Sequence, residues 1–185
     1  MTKHQLSGIY RREGEWTLIE IKLSETNQLF NSMDPSPFRE RDLDPDAAAY
    51  IMDAMRELHG HVRVKLVVYF PGPHEAGLEA MIHQSIRNYF SYRERASRFA
   101  VRQKLRLGRS SLLIGLMFLA VCSLLRFLLT DQGVSTKTVS EGLLIVGWVA
   151  MWKPLEILLY EWWPLLADAR LDARIRELPV EVRVG

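Results

Sequence analysis

Cysteine is nearly missing: Cys122 is the only one among 185 residues. One thiol can build neither an intramolecular disulfide framework nor a cysteine-based metal site. Motifs that announce common chemistry are missing as well. There is no Gly-rich phosphate loop, no Gly-x-Ser-x-Gly elbow, no His-Glu-x-x-His pair and no dinucleotide fingerprint. Catalytic triads can be scattered along a chain, so these absences argue against an enzyme without excluding one. The first residues, MTKHQLSGIYRREGEW, lack the apolar core of a secretory signal, and the N-terminal part is expected to stay in the cytoplasm. His59 and His61 flank Gly60, and His74 follows Pro73, with no third ligand at a fixed spacing. A solvated turn accounts for them better than a metal does, and neither a metal nor a cofactor is expected.

Net charge is also small, +2, but it hides a strong segregation. Residues 1–92 hold 10 basic and 13 acidic side chains, whereas residues 93–109 hold seven basic ones against Glu94 alone. Beyond the basic run the chain turns apolar. Residues 112–129 and 143–163 each meet the length of roughly 20 residues that a helix needs to cross a hydrocarbon core about 30 Å thick. The chain therefore reads as an integral membrane protein with two crossings. Basic residues near the ends of spans are retained on the cytoplasmic side. The connection, at about residues 130–140, offers only Lys137 and Asp131, so both termini are expected inside. Tyr160, Trp162 and Trp163, followed by Pro164, suit the headgroup level of the inner face; ordinary packing aromatics are the competing account.

The basic run ends directly in a span and carries Phe99 as its only aromatic. Attraction to anionic lipid headgroups, about 1 kcal/mol per basic residue near the surface, explains Arg98, Arg102, Lys104, Arg106 and Arg109 without a nucleic acid partner.

The soluble part alternates in two places. In residues 16–24, Ile19, Ile21 and Leu23 share one face; in residues 62–70, Val62, Val64, Leu66, Val68 and Phe70 do. Both read as half-buried strands. Between them, Ala48, Ile51, Met55 and Leu58 recur at helical spacing over residues 45–58. Residues 179–184, PVEVRV, are a further strand, too short to stand alone and expected to rejoin the N-terminal sheet. Residues 75–106 read as one long helix, and a hairpin turned at Glu13 and Gly14 is a further option. The expected fold is α/β: a small cytoplasmic sheet (βαβ plus C-terminal strand), with a long helix leading into a two-helix transmembrane hairpin. The expected divisions are 1–92 for the α/β domain and 93–109 for the basic juxtamembrane helix. They continue with 110–163 for the hairpin and 164–185 for a cytoplasmic helix and the returning strand.

Residues 29–46, LFNSMDPSPFRERDLDPD, are the most distinctive soluble stretch. Asp42, Asp44 and Asp46 alternate as in a calcium loop, with Asp53 at the twelfth position where an acid is needed, but Ala47 stands at the sixth where the loop needs Gly, and Pro45 lies inside it. Helix capping fits better: Asp44 as N-cap, Pro45 at N1, Asp46 at the positive helix end. Phe30, Asp34, Phe38, Arg39 and Asp42 are candidate docking residues. The stretch resembles a segment, with a form close to LFNS-D-PSPFRE-DLD-DA, of a family of uncharacterised bacterial two-span membrane proteins. The resemblance extends to GLLIVGWVAMWKPLEILLYEWWPL at residues 142–165 and implies a bacterial inner-membrane setting, with no activity attached.

Charges within the spans complete the candidates. Lys153, about ten residues into its helix, is expected near mid-bilayer, where a charge costs about 2.5–3.5 kcal/mol and needs a partner. Glu156 is three residues on and can share its face, and Pro154 permits a kink around them. Arg126 is expected to snorkel outward or to pair with Glu141. Three functions follow from these residues. One is a membrane-anchored interaction or accessory protein, with lipids and a second copy or another membrane protein as partners. The second is a homo-oligomeric ion or proton pathway through Lys153, Glu156 and Arg126. The third is a tethered enzyme around Asp34, Glu40 and Asp42.

Overall fold

The computed structural model describes residues 10–30, 43–58, 62–72, 77–128 and 133–185. Their elements are β1 (Arg12–Glu13), β2 (Trp16–Lys22), a short 3-10 turn (Thr26–Leu29), α1 (Pro45–Glu57), β3 (Arg63–Phe70), α2 (Leu78–Leu128), α3 (Gly133–Glu156), a π-helical turn (Ile157–Glu161), α4 (Trp163–Arg176) and β4 (Val180–Val184). The chain divides into two compact units, Met1–Arg95 with Asp168–Gly185, and Ala96–Ala167.

The first unit is a four-stranded sheet in the order β1-β2-β3-β4. β1 and β2 are antiparallel, joined through Gly14 at φ +61°, a left-handed conformation that glycine adopts without a Cβ clash. The turn falls at Gly14 and Glu15, one residue beyond the expected position. β3 runs parallel to β2 on one side and to β4 on the other. The alternation expected for β2 and β3 is realised in part: Ile19, Leu23, Val64, Leu66, Val68 and Phe70 all enter one core and Ile21 packs against it, while Val62 lies outside β3 and is exposed and Leu18, on the other face of β2, is buried. Val67, on the opposite face of β3, is buried as well, as befits a strand paired on both edges. The last strand does rejoin the sheet, pairing Leu66 with Val180 through Phe70 with Val184.

Helices cover the core face. Ile51 and Met55 of α1, Ile82, Ile86 and Phe90 of α2, and Ile175 of α4 pack into the same cluster. The Asp44 carboxylate accepts from the Asp46 amide at 2.9 Å and the Ala47 amide at 3.4 Å, which is the cap expected for α1. Two ion pairs fasten α4 to the first part of α2. Arg93 meets Asp172, which is 1% exposed, at 3.3 Å, and Arg176 meets Glu94 at 2.6 Å. Arg93 thus belongs to the packing of this unit rather than to an open basic run.

The other sheet face is charged. Lys65 lies 2.9 Å from Glu181 and over the ring of Trp16, Glu181 lies 2.7 Å from Arg183, and Arg183 grips both Glu13 oxygens at 2.8 and 2.7 Å. The Tyr69 hydroxyl donates to Glu20 at 2.7 Å. Arg183 and Lys65 hold the Glu181 carboxyl down at about 2, and Arg183 lowers that of Glu13. The hydrogen bond to Glu20 pushes the Tyr69 phenol up.

Two helical stretches are long and apolar enough to cross a membrane, one in Leu78–Leu128 and one in Lys137–Arg176. Only 11% and 22% of their apolar windows are buried, whereas the core helix of a soluble protein is mostly buried. Their bounds differ from expectation. Basic helix and first apolar stretch are a single uninterrupted helix, and α3 begins at Gly133, so residues 133–140 are helical rather than loop. A helix satisfies its backbone groups internally, which favours extending it wherever water is scarce.

Candidate functional site

Glycine sets the geometry of the second unit. A Cβ on Gly108 would stand 2.8 Å from Leu158 Cδ2, one on Gly115 would stand 3.0 Å from Met151 Sδ, and one on Gly147 would stand 2.8 Å from Leu119 Cδ1. These three contacts define one antiparallel register: Gly108 beside Leu158, Gly115 beside Met151, Leu119 beside Gly147. Small residues let two helix backbones approach where no hydrophobic gain is available between them. Pro154 leaves the Ala150 carbonyl without its usual helical donor. That carbonyl faces Gly115, 3.4 Å from where a Cβ would be.

The register decides the level of every charge. Lys153 lies beside about Leu113, at the very start of the 112–129 stretch, and not at its middle. α3 starts ten residues before the 143–163 stretch, and Lys153 belongs to the last turn of α3, just before the π turn. Continued toward the opposite end, the same register brings Arg126 level with Ser140 and Glu141, the residue anticipated as its partner.

Four charges assemble at the Lys153 end. Lys153 Nζ lies 3.1 Å from Glu156 Oε2 and 2.6 Å from Glu161 Oε1, and the other Glu161 oxygen lies 2.7 Å from Lys104 Nζ. The cluster holds two positive and two negative groups. Glu161 stands eight residues past Lys153, which in an α-helix at 100° per residue would leave it about 80° off the face. Ile157–Glu161 is a π turn, which carries more residues per turn and brings Glu161 round onto Lys153. Trp162 Nε1 donates to the Leu158 carbonyl at 2.8 Å and closes this wider turn.

Of the intramembrane candidates, Lys153 and Glu156 are brought together, as their spacing predicts. Glu161 and Lys104 were missed as members, because their approach depends on the π turn and on the pairing of α2 with the returning helix. Proline three residues before an apolar, aromatic stretch was the only available hint. Lys104, expected to face lipid, is instead held by Glu161. Arg98, Arg102, Arg106 and Arg109 are exposed along α2.

The candidate docking segment fares differently. Phe30 is 2% exposed and forms an isolated bridge with Leu43, so its ring is core and not a docking contact. Asp34, Phe38, Arg39, Glu40 and Asp42 lie outside the described residues, as do His59, His61 and His74. No family model, no curated protein and no solved structure matches this chain.

Proposed function

We propose that this chain is an integral protein of the bacterial inner membrane, with both termini cytoplasmic, that serves as a membrane-anchored interaction or accessory protein. One observation carries the reading: Lys153 lies inside a charge-balanced cluster with Glu156, Glu161 and Lys104 that ties the two helices together. In this cluster every positive group is matched by a carboxylate, an arrangement suited to fixing how two helices meet.

The topology has its own support. β3 and β4 are neighbours in one sheet although both apolar stretches lie between them in the chain. Two crossings return the chain to the side it left, and the arginines before residue 112 favour the cytoplasm for that side.

Single cysteines at Lys137 and Gly185, in a Cys122→Ser background, test the topology in spheroplasts with a membrane-impermeant maleimide. Position 137 should label from outside and position 185 only after permeabilisation. In proteoliposomes the wild-type chain should carry no ion or proton flux above empty vesicles. Flux that Lys153→Met abolishes would replace the anchoring role with transport.

A further inference from the structure

The exposed residues of α2 form one continuous stripe that changes character along its length. Arg102, Arg106, Arg109, Leu113 and Met117 are all exposed and follow one another at intervals of four, three, four and four residues. At 100° per residue these positions stay within about 80° of one another. The upper part of the stripe is guanidinium and the lower part is aliphatic. Among the described residues, Arg102, Arg106 and Arg109 have no ion pair, while Lys104, on another face of the same helix, is taken by Glu161.

The partner helix marks the depth independently. By the hairpin register, exposed Tyr160 lies level with Arg106 and exposed Trp163 level with about Gln103. Such aromatic rings settle at the headgroup level. Arg109, Arg106 and Arg102 stand about 4.5, 9 and 15 Å along the axis from Leu112, the first within a headgroup layer about 5–8 Å deep and the other two within reach of it through their long side chains. Arg98 is about 21 Å away, more than twice a Debye length of about 8 Å at physiological salt.

We propose that this stripe is a binding site for an anionic phospholipid of the bilayer. The phosphate sits on the guanidinium groups of Arg102, Arg106 and Arg109, and an acyl chain lies along Leu113 and Met117. Guanidinium suits this role because its planar donors match phosphate oxygens in pairs. The site rests on the membrane reading above and sharpens it: the basic run is divided, with its last three exposed arginines holding lipid and Arg95 and Arg98 outside the site.

The test measures the association of spin-labelled phosphatidylglycerol, relative to spin-labelled phosphatidylcholine, with the full chain in phosphatidylcholine bilayers. The wild type should prefer the anionic lipid by about fivefold, the worth of one basic contact at the surface. Arg102→Gln/Arg106→Gln/Arg109→Gln should reduce the preference to near unity with unchanged helical circular dichroism. Arg95→Gln/Arg98→Gln should keep it. Equal preference in wild type and triple variant, no preference in the wild type, or equal loss in the Arg95/Arg98 variant would each overturn the site. A chain that stays monodisperse in buffer without detergent would instead sink the membrane reading beneath it.

Discussion

Single residues carry contrasting duties according to what surrounds them, and glycine shows this best. Gly147 is pressed against Leu119 and Cys122, whereas Gly142, on the same helix, has nothing within 4 Å of a would-be Cβ. Gly147→Leu should destabilise the hairpin by about 1–3 kcal/mol through overpacking. Gly142→Ala should stabilise it by about 0.5–1 kcal/mol by removing backbone freedom from a helix interior. Unfolding titrations in mixed micelles would show both. Glu181 supplies a second residue-scale test. Its carboxyl is lowered from 4.5 to about 2 by Arg183 and Lys65. A lowered carboxyl stabilises the folded state above its unfolded value and loses that contribution as pH falls toward the folded one. Thermal midpoints of the wild type should therefore drop between about pH 4.5 and 2, and the drop should be smaller in Glu181→Gln. Equal slopes in both proteins would remove Glu181 from the account.

At the scale of elements, the π turn turns a local pair into a cluster. Lys153 and Glu156 are three apart and would meet in any helix. Glu161 joins them only because Ile157–Glu161 is wound more widely, and through it Lys104 of α2 is engaged. Glu161→Gln should lower the unfolding midpoint of the hairpin more than Glu156→Gln does, because it leaves Lys104 and Lys153 both short of a carboxylate. The reverse order would mean that the interhelical contact does not organise this end. The spacing-based reading succeeded for α1, whose cap and apolar face are local. It failed at the ends of α3, where hydropathy marks apolar side chains and not the limits of the backbone helix. Phe30 differs for a related reason: it borders a charged, proline-rich stretch of sequence, yet its own ring is buried in the core beside Leu43.

The whole chain is organised by the return of β4 to β3 after the apolar helices. A stop codon at Pro179 would leave β3 an unpaired edge and strip Val180 and Val182 from the core. Such a truncation should unfold the sheet unit, read as rapid proteolysis of the N-terminal part, while the hairpin still extracts with membranes. An intact, protease-resistant N-terminal unit would show that the sheet is complete without its last strand.

Sequence by itself determined the alternating strands, the capped α1, the two apolar stretches and the charge of each region, since these depend on neighbours within a few residues. Tertiary structure alone decided which charges meet. Those outcomes depend on three glycines that set the helix register and on a turn wide enough to bring Glu161 to Lys153. No periodicity encodes them, because the closeness of two helices is a property of the pair.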